Sequence, residues 1–287
     1  MKITFKNISP YVMILPVLLI TMIVVIYPLV DNIILSFYNL KYGTEKGIFI
    51  GLDNYIRNIK DPRVLYALVR SIAWTAGNIA LITAIGLGGA LLLSKPLKGT
   101  GIIRSIIILP WVIPTVVVSL VWRWILEPDL GIINNILYSL GLMKGKPITY
   151  LGTPDLAMLS LVLINSWKLS PFAIVVVLAA LQTIPRELYE AAMIDGASSF
   201  TIFKNITMPL ISPILTFLGF IGFAWCFNTF DLIWLITEGG PGSATETLPI
   251  LIYRKAFLEY RLSEAASLAV IMFIIVALAS FLILRRR

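Results

Sequence analysis

Six stretches of this chain are each long and apolar enough to cross a lipid bilayer as a helix: Tyr11–Leu35, Ser71–Leu93, Ile102–Leu126, Leu156–Leu181, Pro209–Ile236 and Ala266–Leu284. A hydrocarbon core of about 30 Å takes about 20 residues of helix. Inside it every backbone N–H and C=O must find a partner within the protein, which favours helices. The expected fold is therefore all-α: a polytopic membrane protein with six transmembrane helices. The first run exceeds the roughly 7–15 residues of a secretion-signal core. No small-x-small cleavage site follows it, so it is expected to persist as an anchor.

Composition agrees. The chain is 59% hydrophobic and 13% charged, against roughly 25% charged for an average globular chain. That argues against a water-soluble enzyme, a disordered chain, a collagen and a basic nucleic-acid-binding domain, and the net charge of +8 is better placed in loops facing a membrane surface. There is no histidine, hence no His-based catalytic triad, HExxH zinc site or imidazole relay. A single cysteine, Cys226, can form neither an internal disulfide nor a thiolate cluster and reads as a small buried hydrophobe. No G-x4-G-K-[ST] phosphate loop is present, since Gly145-Lys146 is followed by Pro147.

The connections are uneven. Residues 39–70 carry the turn residues Gly43, Gly47, Gly51 and Pro62; residues 94–101 make a tight basic turn; residues 127–155 are punctuated by glycine and proline; residues 237–265 open with Glu238-Gly239-Gly240-Pro241-Gly242. None has the length of a soluble domain, so residues 1–287 read as one membrane domain. An even span number puts both termini on one side. Lys and Arg total 10 with the termini inside and 11 in the opposite loops, with Arg123 and Lys168 in spans. Density decides instead: Arg285, Arg286 and Arg287 abut the last span, and Lys95, Lys98 and Arg104 crowd the shortest loop. Short basic clusters at membrane ends mark the cytoplasmic face.

Residues 182–208, between the fourth and fifth spans, are of a different kind. Pro185 suits a first helical position and Glu187 a first turn. Ala191 and Ala192 favour helix, and Gly196 can supply the left-handed residue that ends it. A second short helix from about Ser198 to Asn205 would follow, with Pro209 opening the next span. Leu188, Tyr189, Met193, Ile194, Phe200, Ile202 and Phe203 are more apolar surface than so small a segment can bury. It would lie in the bilayer interface, pack under the bundle, or dock on another protein.

The run Glu190-Ala191-Ala192, three residues, Gly196, nine residues, Ile206, one residue, Met208-Pro209 resembles the EAA loop of bacterial-type ABC importer permeases, whose pattern is EAA-x3-G-x9-I-x-L-P. The one departure, Met208 for leucine, conserves volume. Leu178-Ala179-Ala180-Leu181-Gln182-Thr183-Ile184-Pro185, Ile194-Asp195-Gly196-Ala197 and Thr237-Glu238-Gly239-Gly240-Pro241-Gly242 are similar to the carbohydrate branch, of maltose type or glycerol-phosphate type. The resemblance implies a type I ABC importer permease fold whose last five spans, here about residues 66–284, form the common core. It implies a second homologous permease, two cytoplasmic ATP-binding cassette subunits, and an extracytoplasmic solute-binding protein. It also implies that residues 182–208 are the cytoplasmic coupling loop. In it Glu190 would be the polar anchor, Ala191 and Ala192 would allow close approach and Gly196 would turn the chain, with Asp195, Ile206 and Pro209 completing the motif. No cofactor would be bound by this chain; ATP and Mg would belong to the partner ATPase.

Polar residues within the spans mark a candidate solute pathway. A mid-span charge costs roughly 2.5–3.5 kcal/mol on insertion scales. Lys168, with Asn165 one turn earlier, either faces a polar cavity and a sugar's hydroxyls or satisfies groups within the bundle. Gly222, Trp225, Cys226 and Thr229 recur at helical spacing, with Asn228 and Asp231 on an adjacent face. Trp111 and Thr115 flank Pro114, which weakens the helix, and broken helices near the midplane are where transporters hold substrate. Trp122 and Trp124 beside Arg123 read as interface anchors. Lys168 leaves open an anionic solute such as a uronic-acid saccharide or glycerol phosphate. A stand-alone secondary transporter or channel would call for mid-span carboxylates, and only Asp31 and Asp231 come near. An intramembrane enzyme would call for paired mid-span acids or a G-x-S-x-G elbow, and neither is found.

Overall fold

The computed structural model describes residues 5–40, 47–95 and 99–285; Gly43, Lys98, Arg286 and Arg287, used above for the loops and topology, lie outside them. In chain order the elements are α1 (Phe5–Thr21), a π-helical turn (Met22–Ile26), α2 (Tyr27–Leu35), β1 (Tyr38–Asn39), β2 (Ile48–Phe49), α3 (Asp53–Lys60), α4 (Pro62–Leu93), α5 (Thr100–Ile107), α6 (Leu109–Val112), α7 (Thr115–Ile125) and α8 (Ile132–Ser139). There follow α9 (Pro154–Gln182), α10 (Arg186–Ile194), α11 (Ser199–Ile202), a second π-helical turn (Phe203–Thr207), α12 (Met208–Phe227), α13 (Asp231–Thr237), α14 (Leu248–Tyr253), a third π-helical turn (Arg254–Leu258) and α15 (Leu262–Arg285). The two strands pair antiparallel, Tyr38 opposite Phe49 and Asn39 opposite Ile48.

Five continuous helical stretches among the described residues are long and apolar enough to span a membrane; a sixth span exists only if Gly101–Val112 and Thr115–Ile125, which meet at 92°, count as one. The break falls at Ile113-Pro114, whose residues are extended (ψ 130° and 138°). The expected third span is thus two helices at a right angle.

Three other boundaries move by nine residues or more. The second span begins at Pro62, nine residues before the expected Ser71. Pro62 is no loop residue: it takes the first helical position, where its missing N–H costs nothing, and Asp61 caps the helix by accepting the Arg63 N–H at 2.9 Å. The fifth span begins at Ser199 and ends at Phe227, where Pro209 and Ile236 were expected. Pro209 instead lies within a continuous helix, and the expected separate helix from Ser198 to Asn205 is the start of that span. Proline removes a donor and crowds the carbonyl four residues back. For Pro209 that carbonyl is Asn205, inside the second π-helical turn; for Pro28 it is Val24, inside the first. In both places the widened turn absorbs the proline. Beyond Phe227 the helix stops, and Asp231, expected on the fifth span, opens α13.

The chain packs as two compact units. One comprises Met1–Leu65 with Leu251–Ile275. Its polar centre is Lys255, 1% exposed in its side chain. The ammonium donates to Asn58 Oδ1 at 2.7 Å and to Asp61 Oδ2 at 3.0 Å. Asn58 donates in turn to the Glu264 carbonyl and to Ser267 Oγ, both at 2.8 Å. Burial works to raise the Asp61 pKa, but the Lys255 hydrogen bond, the Arg63 N–H and the charges of Lys255 and Arg63 hold it below its ordinary 3.8.

The other unit comprises Tyr66–Ile250 with Val276–Arg287. Its core runs through Trp74, Leu161, Ile164, Val177, Ile211, Leu232, Ile233 and Ile250. Helix α9 lies at the centre, and α4 crosses it closely. A Cβ at Gly86 would sit 2.6 Å from the Ala173 Cβ, so glycine sets the approach. The segment Thr245–Leu248, within the expected connection 237–265, is buried. Thr237 and Thr245 share a hydroxyl hydrogen bond at 2.7 Å, and Thr245 Oγ1 donates to the Gly240 carbonyl at 2.7 Å.

Candidate functional site

The segment 182–208 folds as a helix–turn–helix elbow. Pro185 (ψ 136°) precedes α10, and Glu187 lies in its first turn. Gly196 ends the helix with φ +75°. Its N–H donates to the Met193 carbonyl at 3.1 Å and the Ala197 N–H to the Ala192 carbonyl at 2.9 Å, the paired bonds of a left-handed glycine cap. Ser198 then caps α11 by accepting the Thr201 N–H at 3.2 Å. Tyr189 and Ile206 are half-buried against the core, and Tyr189 Oη lies 3.2 Å from Thr207 Oγ1. These contacts hold the elbow by its base. Its tip carries Met193, Ile194 at 86% exposure and Phe200 at 71%. Glu190, Ala191, Asp195 and Pro209 are exposed and Ala192 half-buried.

The candidate pathway residues divide into two groups. Trp111 of α6 stacks on Phe172 of α9 (centroids 5.6 Å apart, 28°), and Phe172 meets Trp225 of α12 at 5.2 Å. Trp111 and Trp225 remain 39% and 43% exposed, so three helices contribute to one accessible aromatic row. Lys168, Thr115, Gly222 and Thr229 are half-buried. Gly222 faces Ile79, and the Thr229 hydroxyl donates to the Trp225 carbonyl at 3.0 Å. Asn165 and Cys226 are buried. Asn165 Nδ2 donates to Asn78 Oδ1 at 2.7 Å and approaches Cys226 Sγ at 3.9 Å. Ser166 Oγ donates to the same Asn78 oxygen at 3.3 Å, Asn78 Nδ2 to the Trp74 carbonyl at 2.9 Å, and Trp74 Nε1 to the Cys226 carbonyl at 2.8 Å. This network joins α4, α9 and α12, and in this conformation it, rather than a cavity, occupies Asn165.

Sequence reasoning did not place Phe172, Asn78 or Trp74 in the pathway. Phe172 stands four residues after Lys168 on one face of α9, a spacing that could have flagged it. Trp122, read as an interface anchor, packs edge-on against Trp167 at 5.5 Å; it is a bundle contact.

A family model for the inner-membrane component of binding-protein-dependent transport systems matches residues 79–287. The chain belongs to this family. This permease is 35% identical over 270 residues to the trehalose/maltose transport system permease protein of Thermococcus litoralis, covering 93% of this chain and 89% of the relative. It is 32% identical over 264 residues to the sulfoquinovosyl glycerol transport system permease protein of Agrobacterium fabrum, covering 90% and 83%. The structure aligns with a chain of a bacterial ABC transporter that imports the acidic polysaccharide alginate, with TM-score 0.82 at 24% identity over 98% of both chains. It aligns with a chain of the bacterial alginate transporter complexed with its pentasaccharide-bound periplasmic protein, with TM-score 0.84 at 21% identity over 98% of this permease and 96% of that chain. The permease thus has the importer fold and is a multi-pass inner-membrane protein of a binding-protein-dependent system, which displaces the stand-alone carrier or channel.

Proposed function

We propose that this permease is the transmembrane subunit of an ATP-driven importer that moves a sugar or oligosaccharide across the cytoplasmic membrane by alternating access. Both termini face the cytoplasm, and the elbow 182–208 projects there. A second homologous permease completes the membrane portion, two ATP-binding cassette subunits dock beneath and hydrolyse ATP with Mg, and an extracytoplasmic solute-binding protein delivers the saccharide. The saccharide relatives support the solute class.

The observation that carries the coupling reading is the elbow. An apolar tip of Met193, Ile194 and Phe200 stands out on a base fixed by Tyr189 and Ile206. Water disfavours so exposed a tip, and a protein cleft would cover it. Glu190, exposed beside it, supplies a polar anchor; Ala191 and Ala192 let the partner's backbone approach; Asp195 and Gly196 cap and turn the chain. Ile206 and Pro209 link the elbow to α12, so movement of the tip is passed to the helix bearing Trp225 and Cys226, with Thr229 just beyond its end. Glu190→Lys and Gly196→Pro in the assembled importer are expected to abolish saccharide uptake while the protein remains in the membrane. Unchanged uptake and unchanged ATPase binding would refute the coupling role.

A further inference from the structure

This chain handles two lysines in opposite ways, one buried and one half-buried. Lys255 is matched by an amide oxygen and a carboxylate, Asn58 and Asp61. Lys168 stands at the midpoint of α9 (Pro154–Gln182), half-buried, and among the described residues it has no hydrogen bond or ion pair. Among the elements packed on α9, only α13 brings an acid, Asp231 at its first residue, which is exposed and makes no ion pair with Lys168 among the described residues. Helix α12 contains no Asp, Glu, Lys or Arg; α6 contains none, α7 none before Arg123, and α4 none after Arg70. A positive charge at mid-span without a protein partner is retained for something that arrives.

The surroundings indicate what arrives. Phe172, one turn from Lys168 on the same face of α9, is the middle ring of the accessible row Trp111–Phe172–Trp225. Aromatic rings suit the apolar C–H faces of a sugar, and an ammonium suits an acid group at its edge. We propose that the solute is an acidic saccharide, carrying a carboxylate, and that Lys168 is the specificity-determining cation that meets it while the aromatic row supports the sugar rings. This rests on the saccharide reading above.

The test uses the whole importer, with its partner subunits and binding protein, in proteoliposomes. The probes are glucuronate-containing oligosaccharides and their carboxyl-reduced, neutral counterparts. The wild type is expected to take up the acidic member at least tenfold better than the neutral one. Lys168→Gln is expected to lose at least tenfold more in acidic than in neutral uptake, mainly through a raised KM; Lys168→Arg retains the acid preference. A wild-type preference for the neutral member, or an equal loss of both members in Lys168→Gln, overturns the inference and leaves saccharide transport standing. A Lys168→Gln importer that fails to assemble, together with a Lys168→Arg importer that assembles without acid preference, marks the charge as structural and also overturns it. Uptake of neither member by the wild type refutes the saccharide reading, and the inference with it.

Discussion

Replacing Gly86 by alanine tests how tightly α4 and α9 are fitted. The added methyl carbon would lie 2.6 Å from Ala173 Cβ, with the Ala173 carbonyl carbon and Cα at 3.3 and 3.5 Å. Two methyl groups in contact stay about 3.5–4 Å apart, so the helices must separate by several tenths of an ångström or more. Overpacking of this kind costs about 1–3 kcal/mol. Alanine recovers about 1 kcal/mol of helix propensity over glycine, leaving a net loss of roughly 0–2 kcal/mol. Ala173→Gly alone forfeits that propensity and about 0.8 kcal/mol of methyl burial, close to 2 kcal/mol. The double variant Gly86→Ala/Ala173→Gly moves one methyl across the seam and is expected within about 1 kcal/mol of wild type, as contacting residues couple. The assay is unfolding of the purified permease in detergent, with the four proteins forming a double-mutant cycle. Strictly additive single effects, with the double variant less stable than either single, would refute a close crossing at this point.

Two further predictions concern buried polar groups. Asn78→Leu strands the Asn165 amide and the Ser166 hydroxyl inside the bundle, at about 1–3 kcal/mol for each unpaired group; adding Asn165→Leu should recover part of the loss in the same unfolding assay, and no recovery would dissociate the two side chains. Asp61 titrates below its ordinary 3.8 in the folded chain, so its contribution is complete above that value and drains away as pH falls through the lower native one. Between pH 6 and pH 2.5 the wild type should therefore lose more thermal stability than Asp61→Asn, which starts lower at pH 6; parallel curves would contradict the Lys255 pairing.

Hydropathy located the apolar runs well where lipid and core make the same demand. Helix α9, expected over Leu156–Leu181, spans Pro154–Gln182. The break before Thr115 was visible in Pro114. Boundaries failed where a helix leaves the hydrocarbon: Arg63 and Arg70 masked the first nine residues of α4. Proline misled at Pro209, because a widened turn can carry a helix past it. The elbow was readable because its chemistry is local: a proline at the helix start and a capping glycine act within a few residues, although Pro185 stands at the N-cap, one residue short of the first helical position expected for it, and Ser198, expected as the first residue of the second helix, caps it instead. The aromatic row and the Asn78 network were not, because both join helices far apart in the chain, and which helix faces which is not written in the spacing along any one of them. Cys226 behaved as its small apolar character suggested and is fully buried.

The Lys255 anchorage has a consequence for how the chain is made. Asn58 and Lys255 are 197 residues apart, and at ribosomal speeds of about 5–20 residues per second the acceptor emerges roughly 10–40 seconds before the ammonium. Through that interval Asn58, which lies outside the spans, must be solvated by water in place of its lysine. A stall in translation before residue 255 would leave it waiting indefinitely, so completion of the polypeptide is itself the event that fastens its beginning.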